Sequence, residues 1–150
     1  MFICLRESGQ IAGIVNLNEI VRGAFQSAYL GYWIGTRFAG CGCMTEGLSL
    51  VIDHAFNEMK LHRLEANIQP ENEKSIRLVQ RLGFVKEGYS RAYLRIGDEW
   101  KDHERWAVLC DDWLARRGRR YEEDVLFNSL EKYLISEHKK EEKFYEEEVG

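Results

Sequence analysis

Residues 35–47 read GTRFAGCGCMTEG, with four glycines and two cysteines in thirteen positions, directly ahead of a pattern of helical period. Glycine weakens helices and strands, so a cluster of this density points to main chain that something must approach closely. After it Met44, Leu48, Ile52, Ala55, Phe56 and Met59 recur at three- and four-residue spacing, which predicts an amphipathic helix with its stripe on a core. Before it AYLGYWIG, residues 28–35, is apolar on both faces and predicts a strand near the middle of a sheet. The order is therefore strand, glycine turn, helix N-terminus. Unpaired N–H groups and the positive end of the helix dipole make such a junction an anion site. It is not a P-loop, because no Gly-Lys-Ser/Thr follows, and the glycine spacing fails the Rossmann fingerprint.

Outward from this junction the elements alternate. Short β-branched runs from Phe2 to about Asn18 flank Ser8-Gly9-Gln10 and predict a hairpin. HRLEANIQP alternates Leu64, Ala66 and Ile68 with Glu65 and Asn67, a strand stopped by Pro70, the one proline in the chain. NEKSIRLVQRLGF predicts a second helix with Asn72 as N-cap and Gly83 just past its end. RAYLRIGDEWKDHERWAVL predicts a hairpin turning at Gly97-Asp98. The fold class expected is α/β (α+β), with a mixed, mostly antiparallel twisted sheet flanked by helices. The domain is expected to span residues 1–118. Residues 119–150 form a charged tail, with Leu126, Leu130, Tyr133 and Leu134 at helical spacing.

Composition limits the partners. Residues 1–118 carry fifteen basic and fifteen acidic side chains, so the net charge of −4 arises entirely in the tail. A neutral body does not suit nucleic acid. No apolar run reaches the 18–20 or so residues that span a bilayer, and the apolar start is too short for a secretory signal. A cytoplasmic protein without membrane or nucleic-acid partners is expected. Of Cys4, Cys41, Cys43 and Cys110, only the CGC pair has close spacing, and no second ligand pair completes a zinc site. Four reduced thiols and no metal are expected.

Arg37-Phe38-Ala39-Gly40-Cys41-Gly42 resembles the Q/R-x-x-G-x-G/A segment of the GNAT acetyltransferase superfamily. Residues 10–113 or so resemble its ribosomal-protein-alanine N-acetyltransferase branch, with several motifs in the right order. The resemblance implies that main-chain N–H groups from Ala39 through Gly40, Cys41, Gly42 and Cys43 to Met44, with Arg37 ahead of them, bind the pyrophosphate of acetyl-CoA. It implies that Tyr32-Trp33-Ile34 pairs with the pantetheine arm and aims an N–H at the thioester oxygen. Asn72 and Ser75 match the branch's N-x-x-S, which puts Asn72 near that arm and makes Ser75 the candidate proton donor to the leaving thiolate. Each also has an ordinary role, Asn72 as a helix cap and Ser75 as a first-turn residue.

Two departures affect proton removal from the amine. Some relatives place glutamate where Asn67 stands and tyrosine where Val79 stands. The substitutes are Asp102, Glu65 and His103, with Asp102 first because WKDH matches the branch's pattern after the hairpin. Glu46 is read as favourable to the helix dipole. The resemblance also implies a strand and two helices ahead of the segment that starts here, so the acceptor wall is expected to be missing. The tail is expected to dock in their place, within one chain or between two as a homodimer. The function expected is transfer of the acetyl group of acetyl-CoA to a primary amine, foremost a protein N-terminus. The alternatives are a polyamine or antibiotic acceptor, or a non-catalytic fragment that binds CoA or a partner.

Overall fold

The structure, a computed structural model, describes residues 1–118; the tail helix and its proposed docking lie outside the described residues. The chain divides into two compact units, residues 1–113 and 114–150. In the first, six strands form one sheet: β1 (Phe2–Cys4), β2 (Ile11–Val21), β3 (Ser27–Ile34), β4 (Arg63–Ile68), β5 (Val85–Ile96) and β6 (Glu99–Leu109). Their order is β1-β2-β3-β4-β6-β5. Every pairing is antiparallel except β3 with β4. That parallel pair needs a long crossover, supplied by α1 (Cys43–Asn57), while α2 (Glu73–Arg81) follows β4. Residues 110–113 open a further helix, and residues 114–118 of the second unit are helical too.

The apolar patterns locate the core. Leu64, Ala66 and Ile68 are buried on alternate positions of β4, and Leu48, Ile52, Ala55 and Phe56 of α1 meet them with Val15, Ala28 and Leu30. Burying a side chain of this kind contributes about 1.5–3 kcal/mol. Trp113 Nε1 donates to Asp53 Oδ1 of α1 at 2.7 Å. The sheet and hairpins follow the sequence pattern, with two extensions. β2 continues to Val21, and β5 begins at Val85 rather than Arg91. Residues 85–90 form a largely exposed, polar part of an edge strand, which lacks a buried alternation to read. Bulges follow at Lys86/Gly88 and at Ser90/Leu94, where Ala92 takes φ 46°.

The parting of two strands matters most for the site. β3 and β4 are paired only at Ser27↔Arg63, Ala28↔Leu64 and Tyr29↔Glu65. Beyond that point β3 stays on β2 as far as Gly13↔Ile34, while β4 stays on β6 as far as Ile68↔Glu104. Each strand therefore keeps its outer neighbour and loses the inner one. Main-chain donors and acceptors along residues 30–34 are left facing a gap.

Candidate cofactor and active site

The gap widens into a cleft of about 740 Å³ lined by β3, the glycine turn, the first turn of α1 and one face of α2. On β3 the lining residues are Tyr32, Trp33 and Ile34, and Trp33 is 64% exposed. The strand is held from behind by close packing. A Cβ added to Gly13 of β2 would lie 2.6 Å from the Trp33 carbonyl oxygen, so only glycine lets the two backbones come this near.

At the end of β3 the Gly35 N–H donates to Ala12 O at 2.8 Å, and a single 3₁₀ turn, Thr36–Phe38, redirects the chain. Gly40 and Gly42 then take φ +83° and +86°, the left-handed region, with Gly42 the N-cap of α1. Beyond the adjoining residues of the chain, no heavy atom lies within 4 Å of a Cβ built at either position. The need for glycine is thus conformational, and the space beside it is open. The first bond of the helix runs from Glu46 N–H to Gly42 O at 3.0 Å. The N–H groups of Cys43, Met44 and Thr45 precede it and have no acceptor within the helix. Met44 and Thr45 line the cleft with Ala39, Gly40 and Gly42.

From the opposite wall α2 presents Asn72, Lys74, Ser75, Arg77, Leu78 and Arg81. Asn72 Oδ1 caps the helix by accepting from Ser75 N–H at 3.2 Å. The Ser75 and Tyr32 hydroxyl oxygens are 2.6 Å apart, which joins the two walls. Burial pushes the Tyr32 phenol above its ordinary value, against a smaller opposing effect of the Ser75 bond, so it keeps its proton at neutral pH. Three cations of this wall, at spacings of three and four, line the same cleft as the open glycine turn. Arg77 also pairs with Glu73 at 2.8 Å, an exposed i,i+4 contact. An anion entering here meets helix-start N–H groups on one side and positive side chains on the other.

The structure therefore brings together Tyr32, Trp33, Ile34, Ala39, Gly40, Gly42, Met44, Asn72 and Ser75. Arg37, Cys41 and Cys43 are outside this lining: Arg37 lies over the Phe38 ring at 5.4 Å, and Cys43 lines a second cavity of about 630 Å³ between β1 and α1. Lys74, Arg77 and Arg81 were missed by the sequence reading. Their signal was present as KSIRLVQR, a basic face on a helix read only for its cap.

The three candidates for proton removal are also outside the lining. Asp102 accepts from the Tyr89 hydroxyl and, at 2.7 Å, from Ala92 N–H, which secures the bulge of β5. The Tyr89 bond first, and the Ala92 N–H second, hold its carboxyl below the ordinary value. Glu65 is ion-paired with Arg63 at 2.8 Å, and Arg63 also holds Glu87. His103 is buried, with Nδ1 3.0 Å from Lys101 O and its ring 6.0 Å from that of Tyr93. Val79 is packed in the core, and Asn67 Oδ1 is the one buried side-chain polar atom without a partner among the described residues.

A parted strand pair, a glycine turn at a helix start and a cationic helix face meet in this one cleft. The family described as Acetyltransferase (GNAT) domain matches residues 1–85, and the chain belongs to that family. It is 44% identical over 103 residues to the probable N-acetyltransferase YjcK of Bacillus subtilis, covering 69% of this chain and 57% of that protein. It is 42% identical over 108 residues to the [ribosomal protein uS5]-alanine N-acetyltransferase of Escherichia coli, covering 72% and 56%. The crystal structure of the ribosomal-protein-S5-alanine acetyltransferase from Vibrio fischeri superposes with a TM-score of 0.68 at 36% identity, over 72% of this chain and 59% of that one. A spermidine N(1)-acetyltransferase of Escherichia coli also matches, at 29% identity over 107 residues. The chain spans little more than half the length of these curated relatives.

Proposed function

We propose that this protein binds acetyl-CoA in the cleft and transfers its acetyl group to a primary amine, foremost the N-terminus of a protein. The observation that carries the reading is the juxtaposition of the parted β3–β4 pair with the left-handed Gly40 and Gly42 at the start of α1. The residues fit the group: the open turn and Lys74, Arg77 and Arg81 suit its phosphates, and the gap beside Tyr32, Trp33 and Ile34 suits its arm. When bound, acetyl-CoA supplies an acetyl group activated as a thioester.

The chain's own residues then do three things. Main-chain N–H groups along Tyr32–Ile34 orient the arm and polarise the acyl oxygen. Asn72 fixes the start of α2, so that Ser75 is held against Tyr32. The Tyr32–Ser75 hydroxyl pair donates the proton that the departing sulfur needs, a task suited to a phenol that stays protonated at neutral pH. For proton removal from the amine, the sequence put Asp102 first. Its engaged oxygens and lowered pKa make it a weak base, and Glu65 is committed to Arg63. We assign this step to water rather than to either carboxylate.

The 42% identity to an alanine N-acetyltransferase supports a protein N-terminus over a polyamine, whose transferase matches at 29%. Four free cysteines fit a reducing, cytoplasmic setting. Residues 1–118 are proposed as the cofactor-binding domain; the charged tail, residues 119–150, lies outside the described residues, and its docking is proposed to be either within one chain or between two. Incubation with acetyl-CoA and, separately, an alanine-starting peptide or spermidine tests the reading. Acetylated peptide is expected. Acetylspermidine alone would transfer the acceptor class, and tight acetyl-CoA binding without turnover would favour the non-catalytic fragment.

A further inference from the structure

The two thiols of the CGC within the glycine turn have no task in acetyl transfer. Cys41 is exposed and Cys43 half-buried, and their sulfurs are 2.7 Å apart. Gly42 between them, in its left-handed conformation, lets both side chains turn toward each other. The approach is far inside ordinary contact and short only of the roughly 2.03–2.05 Å of a covalent S–S bond. The neutral Cys41 thiol donates a hydrogen bond to Phe38 O at 2.8 Å.

The two thiols are unequal. The Cys43 thiol, and behind it the Cys43 N–H, hold Cys41 below its ordinary pKa, and the same sulfur contact pushes Cys43 up. Cys110 is instead pushed up by burial. An exposed, more acidic thiol beside a less acidic partner is the arrangement of an attacking and a resolving cysteine.

We propose that Cys41 and Cys43 form a reversible dithiol–disulfide site inside the glycine turn, closed by a low-molecular-weight disulfide and reopened by a thiol reductant, and that its closure weakens acetyl-CoA binding. The Cys41 thiolate attacks one sulfur of the small disulfide, forming a mixed disulfide and releasing one small thiolate. Cys43 loses its proton, attacks the Cys41 sulfur and releases the second small thiolate. The protons of Cys41 and Cys43 end on the two small thiols. Two protein thiols are thereby oxidised and one small disulfide is reduced. A bond across a single residue closes a small ring, and strained, exposed disulfides of this kind are readily reduced.

The effect on acetyl-CoA rests on the reading of this turn as the phosphate cradle. Closure ties together the residues on either side of the N-cap and fixes Gly42 in the ring's geometry rather than the ligand's. By linkage, a ligand that closure weakens must itself oppose closure.

Trypsin should release residues 38–60 as one peptide containing both cysteines and no others. The reduced full-length chain is treated with glutathione disulfide, with and without saturating acetyl-CoA, then alkylated and mapped by mass spectrometry. Without acetyl-CoA this peptide is expected to lose two hydrogens and to regain them with dithiothreitol. Cys43→Ser is expected to keep glutathione on Cys41 instead. Acetyl-CoA is expected to slow closure, and the oxidised chain to bind it more weakly in calorimetry, by about tenfold, within the usual range of such couplings. A wild-type peptide that keeps both thiols, or stops at the mixed disulfide, overturns the site. Closure with equal acetyl-CoA affinity in both states overturns the coupling. Acetyl-CoA binding by the Cys41→Ser/Cys43→Ser variant is measured apart: its absence there and in the reduced wild type refutes the cofactor reading, while the redox result stands by itself.

Discussion

Replacing Gly42 with alanine separates the cost of a backbone conformation from the loss of a ligand contact. At φ +86° the new methyl group makes no close contact beyond its chain neighbours, since no other heavy atom lies within 4 Å of its position. The stability cost is then conformational, about 1–2 kcal/mol for an L-residue in the left-handed region. For a domain of this size that is a fall in Tm of roughly 3–8 °C. Binding should suffer more. The methyl enters the open space beside the helix-start N–H groups, where a phosphate oxygen must come. Losing one charge-assisted hydrogen bond costs about 1.5–3 kcal/mol, which is a Kd weaker by roughly 10- to 150-fold. Gly23 supplies the control, because it too is left-handed, at φ +70°, with nothing within 4 Å, but it is no part of the cleft lining. Gly23→Ala should lower Tm by a similar amount and leave Kd unchanged. Thermal unfolding and calorimetric titration with acetyl-CoA read the two effects separately. Equal acetyl-CoA affinity in wild type, Gly42→Ala and Gly23→Ala would refute the role given to the turn.

Ser75→Ala and Tyr32→Phe should each lower kcat by about 10²-fold with little change in acetyl-CoA Kd, the signature of a lost proton donor; additive losses in the double variant would show that the hydroxyls do not act as a pair. Asp102→Asn should lower kcat by less than about tenfold, short of the 10²–10⁴ expected for a general base, and a larger loss with unchanged fold would restore Asp102 to that role. Glu87 is held below its ordinary carboxylate pKa chiefly by its hydrogen bond from Arg63. The unfolded chain therefore takes up this proton first, and the contribution is present above the ordinary value of 4.5 and lost as pH falls through the lower folded value. Urea midpoints should drop less steeply with acid in Glu87→Gln than in wild type.

Much of the fold was legible because its signals are local. The α1 stripe, the alternation in residues 64–68, the Asn72 cap and the Gly97-Asp98 turn each state a period or a dihedral directly in the sequence. The β3 wall of the cleft and the glycine turn came from the same kind of signal, strengthened by the resemblance. What was not legible depends on distant neighbours. Nothing in residues 27–34 alone says that β3 loses β4 after Tyr29, because that follows from the different outer partners of the two strands. The Tyr32–Ser75 contact joins residues 43 positions apart, and Asp102 is occupied by Tyr89 and Ala92 across a bulge that has no sequence mark. The proton-removal candidates were chosen by charge and strand position, and neither shows which oxygens are already taken.

The central claim is that the glycine turn and the parted end of β3 hold the two ends of one carrier. Backbone amide spectra of the uniformly ¹⁵N-labelled full-length chain, recorded through a titration with acetyl-CoA, test it most directly. The largest shifts should fall on Gly40, Gly42, Cys43, Met44 and Thr45 and on Trp33 and Ile34, saturating together with one Kd. Shifts confined to the β5–β6 hairpin, or an absence of change at the turn under saturating ligand, would contradict it.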